Sequence, residues 1–344
     1  MTQPEARRTA DAPVTSPANT GTIVRDCILC GASAHEPVFV YTFDFLVNVR
    51  GQSAEKLRRT GWTEDVTSTI VRCEACGCHY VRDVRLPSSQ YAAARSEWSE
   101  SDEAIAEFAK EMLAQDTFKS YPNRDAENWT VRTLVMLAAK AQQRDIRFLD
   151  FGAGGGQASS MARACGVRDV VAYDPFFVSA AQKRYDAANF AGILCVRDKP
   201  TLMTLGPFDA AIFQSAVEHV ADPRGELATI FELLSPGGYL YVNNPVMDLN
   251  KKIGALRAAR KIVKRDRISH YHPGHLNYLL PNEFAALLRE VGFRITPMVL
   301  YPPVPMAPGF LGARLKQNAK SAVRWLQNTL GLPYTRYAYV VQKP

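Results

Sequence analysis

The chain has 344 residues, 47% of them hydrophobic and 22% charged, with a formal net charge of +7. That length buries one large core and supports a small second unit, and so modest a charge favours anionic partners only weakly. No apolar run approaches the roughly 18 residues of a membrane span. The first 22 residues, rich in Ala, Thr, Pro and Arg without an apolar stretch, read as a disordered tail and not an export signal, so the expected location is cytoplasmic.

Residues 23–86 carry Cys27-Ile-Leu-Cys30-Gly and Cys73-Glu-Ala-Cys76-Gly, two C-x-x-C-G knuckles separated by 42 residues. Each glycine supplies the turn that aims both thiolates at one ion, and four thiolates suit tetrahedral Zn²⁺ with no open position, a structural site. Between them, PVFVYTF and STIVR predict a hairpin sheet that carries the knuckles. Disulfides are the competing reading, and seven cysteines without a secretory signal fit a reducing compartment instead. Cys78 and His79 are either spare ligands or a strand residue and a solvated imidazole. Cys165 and Cys195 fall in helix and strand patterns and read as core.

Residues 87–145 predict helices. SDEAIAEFAKEMLAQ opens on a cap and places Ile105, Phe108 and Met112 on one stripe, and NWTVRTLVMLAAKAQQR gives a second amphipathic helix. Tyr121 and Asn123 lie in the YPN turn between them.

From residue 146 strands and helices alternate. IRFLDFGAGGGQ runs a strand into Asp150-x-Gly152-x-Gly154-x-Gly156, with Gly155 also in the run, where glycine lets the backbone take φ > 0 and lets a ligand approach closely. A dinucleotide fingerprint needs a third glycine where Gln157 stands. VVAYD ends a second strand at Asp174, 20 residues beyond Gly154, where an acid can bind ribose hydroxyls. Strands are expected near 146–150, 170–174, 193–197, 209–214 and 239–243, with helices near 156–165, 176–189 and 223–234. NEFAALLREVGF is a helix before a sixth strand near 294–301, and RYAYVVQ is a seventh. Such alternation implies a parallel sheet with helices on both faces, with ligands at the carboxyl ends of the strands. Asp150, Asp174, Asp198 and Gln214 fall there.

These segments, in this order and spacing, resemble the class I S-adenosylmethionine (SAM)-dependent methyltransferases. The resemblance implies an α/β fold over 146–344, a Rossmann-like seven-stranded sheet whose last strand runs antiparallel, beside the small N-terminal zinc-knuckle domain. It places the glycine loop beneath the methionine part of SAM, Asp150 near its ammonium group, Asp174 on its ribose and Asp198 at the adenine amino group, the last also readable as a surface-turn acid. Helical insertions at 248–280 and 302–333 interrupt the domain. Lys251 to Arg267 holds eight basic residues against Asp266, and GFLGARLKQNAKSAVRWLQNTLGL is amphipathic and basic. They read either as helices that dock on anionic lipid or a phosphorylated acceptor, giving peripheral membrane contact, or as solvated faces.

HYHPGHLNYLLPNEF follows the first insertion. Its Tyr271 to Tyr278 segment resembles the H-E-H-L-x-Y of zinc-containing sugar C-methyltransferases, which also begin with paired knuckles. There His275 falls on the proposed base, while Gly274 replaces a glutamate and the extra C-terminal domain of that family is absent. His270, His272 and His275 are alternatively a metal set. His219, in the Glu-His-Val turn after the fourth strand, is either a second candidate base, since a neutral imidazole accepts a hydroxyl proton near pH 7, or a residue with a structural or cofactor-side role. The expected function is methyl transfer from SAM to a small molecule, at a hydroxyl of a sugar, natural product or lipid-linked intermediate. RNA methylation and a non-catalytic SAM-binding or zinc-ribbon scaffold are the alternatives.

Overall fold

The structure, a computed structural model, describes residues 22–59, 62–85, 125–154, 156–175, 193–244, 274–296 and 337–344. The N-terminal tail before residue 22, the Ile105–Phe108–Met112 stripe, Tyr121 and Asn123, Gly155, the expected helix at 176–189, His270 and His272, and both basic helices lie outside these residues.

The central sheet has seven strands: β6 (Arg147–Phe151), β7 (Asp169–Tyr173), β8 (Ile193–Val196), β9 (Phe208–Phe213), β10 (Leu234–Asn244), β12 (Arg294–Ile295) and β13 (Tyr337–Gln342). Their order is β12-β13-β10-β9-β6-β7-β8. β8, β7, β6, β9 and β10 run parallel. β13 is antiparallel to both β10 and β12, as the Rossmann-like methyltransferase fold requires. Every residue of the central β9 is buried, which accounts for its near-continuous apolar run. Its Asp209, at the amino end, is held by Arg144, the Arg147 amide and the Ser235 hydroxyl. β10 begins earlier than expected, directly after the helix Pro223–Leu233, because Ser235 to Gly238 are carried in an irregular register before pairing with β9 resumes at Tyr239.

Both faces of the sheet are covered. On one, Val131, Leu134 and Ala138 of the helix Asp125–Gln142 pack on Phe148, Ile212 and Tyr241. On the other, Leu227, Ile230, Phe284 and Leu288 pack on Leu149, Phe213 and Val242. Each fully buried Phe or Leu contributes about 1.5–3 kcal/mol.

The knuckle region shares that second core. Cys27, Val71, Cys78 and Tyr80 belong to the same buried cluster as Val217, Leu279 and Phe284. β2 (His35–Thr42) and β3 (Thr67–Cys73) form the antiparallel hairpin expected between the knuckles. β4 (His79–Val81) adds to β3. A two-residue strand, β11 (Asn277–Tyr278), then pairs with β4, so the segment after the first insertion completes the knuckle sheet. β1 (Thr22–Val24) pairs separately with β5 (Asp83–Arg85). His79 is buried in β4, not solvated.

Candidate functional site

The glycine loop is built by short-range bonds. The Gly152 and Ala153 amides both donate to Tyr173 O, at 2.8 and 3.0 Å, and the Gly156 amide donates to Ala153 O at 2.7 Å. The Gly154 amide donates to Asp174 Oδ2 at 2.8 Å. Gly152, Gly154 and Gly156 all have positive φ. A Cβ on Gly152 would also lie 3.1 Å from Ala216 Cβ, so this turn needs glycine for conformation and for space.

Asp150 is buried and accepts both the amide (2.9 Å) and the hydroxyl (2.7 Å) of Ser159, in the first turn of the helix Gln157–Ala164. Burial pushes its carboxyl up to about 6, against the opposing pull of the Ser159 bonds. The four described loop amides, Gly152, Ala153, Gly154 and Gly156, are thus spent inside the protein. An anion cradle instead presents such amides outward, so the loop suits a ligand without phosphate. Beside it stand two buried carboxylates, Asp150 and Asp174, the chemistry that receives an ammonium group and ribose hydroxyls.

Gln214 follows β9 and is half-buried. Ser215 has φ of 50°, a left-handed conformation rare outside glycine, and its amide donates to the buried Asn243 side chain, which holds the turn. Asp198 is exposed at the end of β8, where it caps the short helix Lys199–Met203 and accepts from the Thr201 amide at 2.8 Å. The Thr201 hydrogen bonding holds its carboxyl below the usual range.

The turn after Ser215 carries His219. His219 donates its amide to Ala216 O at 2.9 Å, three residues from the contact with Gly152. The His219 and His275 rings lie 4.9 Å apart and nearly perpendicular, so residues 56 apart in sequence meet at one point. His219 Nδ1 bonds Gly274 O at 2.8 Å. Glu218, buried, puts Oε1 3.7 Å from His219 Nε2.

The 274–278 segment is fastened to this turn. Leu276 donates its amide to Glu218 O at 2.7 Å, and Asn277 Nδ2 donates to Val217 O and Val220 O, both at 2.8 Å. Arg25, two residues before the first knuckle, ties the parts together. Its guanidinium donates to Val81 O (2.6 Å), Ala221 O (2.7 Å), Asn277 Oδ1 (2.8 Å) and Leu276 O. Burial lowers Arg25 to about 10, which leaves it charged at neutral pH.

In the knuckles, the Gly31 amide returns to Cys27 O and the Gly77 amide to Cys73 O, both at 2.9 Å, with positive φ at each glycine. Cys27 Sγ lies 3.5 Å from Cys76 Sγ, and Cys30 Sγ 3.5 Å from Cys73 Sγ. All four sulfurs fall within 4.8 Å of one another. A 2.3 Å Zn–S bond in tetrahedral geometry separates sulfurs by about 3.8 Å, whereas a disulfide needs about 2.05 Å. Cys165 and Cys195 are half-buried and pack against the sheet core.

The residues anticipated from sequence therefore fall into three groups: the glycine loop with Asp150 and Asp174, the His219–His275 pair, and the four thiols. Asp198, at the end of β8, also caps the helix Lys199–Met203. Sequence reasoning overlooked Glu218, although it adjoins His219 in the Glu-His-Val turn. It overlooked Arg25, Asn243 and Asn277 because their partners are distant in the chain. Among the described residues, no helix is long and apolar enough to cross a membrane.

A family profile for the methyltransferase domain matches residues 124–297. The ubiquinone biosynthesis O-methyltransferase of Xanthomonas axonopodis pv. citri is 29% identical over 179 residues, covering 49% of this chain and 72% of that protein. Its namesake from Caulobacter vibrioides is 29% identical over 195 residues, covering 55% and 73%. Among solved structures, human N-acetylserotonin methyltransferase in complex with SAM is 15% identical, covers 74% of this chain and 58% of that one, and superposes with a TM-score of 0.38.

Proposed function

The chain belongs to the methyltransferase domain family and is a SAM-dependent methyltransferase; we propose that it methylates a hydroxyl of a small molecule held against His219 and His275. The observation that carries this reading is the meeting of those two imidazoles on a turn in contact with the glycine loop. The curated relatives are named O-methyltransferases, which favours oxygen over the carbon acceptor implied by the resemblance of the 271–278 segment to sugar enzymes. Within this reading the acceptor is a sugar, a natural product or a lipid-linked intermediate. The basic segments at 251–267 and 309–332, outside the described residues, supply charge for an anionic headgroup or membrane surface.

When bound, SAM supplies a methyl group already activated by its sulfonium. This chain's residues then have three tasks. Gly152, Gly154 and Gly156 admit the ligand close to the backbone, Asp174 accepts from ribose hydroxyls, and Asp150 offers negative charge to the ammonium group. Gln214 and Asp198 border the remainder. His219 and His275 orient the acceptor hydroxyl and draw off its proton, and in-line positioning itself can supply about 7–11 kcal/mol of the barrier. Cys27, Cys30, Cys73 and Cys76 hold one structural Zn²⁺, for which their sulfur spacing is suited.

Incubating the purified protein and labelled SAM with hydroxylated aromatics, sugar nucleotides, lipid extracts and RNA tests the reading. Label should enter a hydroxyl of a small molecule, and His275→Ala should slow its transfer by about 10²-fold or more with SAM affinity kept. Labelling of RNA or of carbon alone contradicts it.

A further inference from the structure

We propose that Asn277 is a positioning residue, whose carboxamide fixes where His219 and His275 stand relative to one another. The two imidazoles come from separate sheets: His219 lies on the turn after β9 of the central sheet, and His275 lies two residues before β11 of the knuckle sheet. Asn277 belongs to the knuckle sheet by its backbone, which pairs with Tyr80 of β4. Its side chain reaches the other, since Nδ2 donates to Val217 O and Val220 O, both at 2.8 Å, on either side of His219.

The carboxamide is used on every side. Its two N–H bonds serve the two carbonyls, and Oδ1 accepts from Arg25 Nη1 at 2.8 Å. A guanidinium can only donate, so Arg25 settles which end of the amide carries oxygen and aims both hydrogens at the turn. Asn277 is 2% exposed, and a buried acceptor that loses its donor keeps the full cost of desolvation. The arrangement is specific to asparagine. An aspartate of the same size would still accept from Arg25 but would bring no N–H to Val217 O and Val220 O.

Neighbouring bonds carry this placement to the rings. Leu276 donates its amide to Glu218 O at 2.7 Å, and Tyr278 Oη donates to His275 O at 3.0 Å. Gly274 O then meets His219 Nδ1 at 2.8 Å, which puts the hydrogen of the neutral imidazole on Nδ1. With the ring centroids 4.9 Å apart, a displaced 274–278 segment changes both the tautomer of His219 and its contact with His275. The catalytic consequence rests on the hydroxyl-methylation reading, in which these imidazoles orient the acceptor and take its proton. There a misplacement of about 1 Å costs about 10²-fold in rate. A staple of the fold alone would instead change stability and leave the rings as they are.

Nitrogen-resolved NMR of the imidazoles in the full-length, zinc-loaded chain tests the proposal, at alkaline pH where the rings are neutral. In the wild type His219 should carry its hydrogen on Nδ1 and show a through-space contact to the His275 ring. The Asn277 carboxamide protons should exchange with solvent at least about tenfold more slowly than those of an exposed asparagine. A His219 hydrogen on Nε2, or unprotected carboxamide protons, overturns the proposal whether or not any variant folds. Asn277→Asp and Asn277→Ala should each turn His219 into a mixture of tautomers and weaken the ring contact, with SAM affinity by calorimetry within about threefold of wild type. Variants that lower the urea midpoint but keep the tautomer and the ring contact make Asn277 a staple of the fold, and overturn the proposal as well. If the rings shift as expected while Asn277→Asp still passes labelled methyl, at the wild-type rate, to the small molecule that the wild type labels, the positioning stands and the histidines' role as bases fails.

Discussion

At the glycine loop the anchoring bonds are local: Ser159 to Asp150, Gly152 and Ala153 to Tyr173, and Gly154 to Asp174 link residues no more than about twenty apart. At the histidine turn they are not. Gly274 meets His219 across 55 residues, Asn277 reaches Val217 across 60, and Arg25 reaches Leu276 and Asn277 across 251 and 252. The glycine loop is therefore set by the sheet that carries it. The histidine turn is set by the docking of the knuckle region, through Arg25 and the β4–β11 pairing, onto the loops that follow β9 and the first insertion. On the proposed reading the knuckles brace the acceptor wall, and the two regions should respond to different perturbations.

The largest expected effect is loss of the thiolate cluster. A structural Zn²⁺ contributes about 10–16 kcal/mol in small modules, so Cys30→Ser should unfold the knuckle sheet and abolish zinc in elemental analysis. SAM binding, measured by calorimetry, should survive within a few-fold, and a parallel collapse of SAM affinity breaks the distinction between the two ends. Next is Arg25→Ala, which strips a half-buried guanidinium from three carbonyls and the Asn277 side chain. Each buried acceptor left without its donor costs about 1–3 kcal/mol, read as a lowered urea midpoint, and Arg25→Lys should recover part of it.

Asp150 sharpens the contrast from the cofactor end. Its folded carboxyl titrates near 6 against an ordinary 3.8, so the native state favours the protonated form. That contribution is fully present below 3.8 and is lost as pH rises through 6. The two-unit difference amounts to about 3 kcal/mol at 1.36 kcal/mol per unit. Relative to Asp150→Asn, the wild type should therefore lose up to that much stability between pH 4 and 7, and parallel urea curves for the two proteins contradict it. The smallest effect is Asp174→Ala, which removes the Gly154 anchor and, on the proposed reading, a ribose acceptor. It should weaken SAM about 30-fold, roughly 2 kcal/mol, with the histidine turn unchanged.

The same contrast explains what could be read in advance. The parallel strands, the glycine loop, Asp174 and both knuckles were legible because their signals are periodicity and spacing within a few tens of residues. β11 has two residues and no periodicity, and it exists only through its pairing with β4. Arg25 looks like any charged residue before a knuckle, since nothing local marks burial against partners 250 positions away. Asp198 matched a cofactor-contact position, yet the Pro200 and Thr201 that follow it also make a helix start, and the cap engages its carboxylate. Glu218 was in plain view beside His219, but its burial follows from packing that no sequence pattern shows.

Residue-resolved amide hydrogen exchange on wild type and Arg25→Ala measures the two ends of the cleft in one experiment, with no acceptor needed. The His219, Leu276 and Asn277 amides should exchange at least tenfold faster in the variant, while those of Gly152, Ala153 and Gly154 keep wild-type protection. Acceleration of both sets together, or of neither, would contradict a knuckle region that braces the acceptor wall alone.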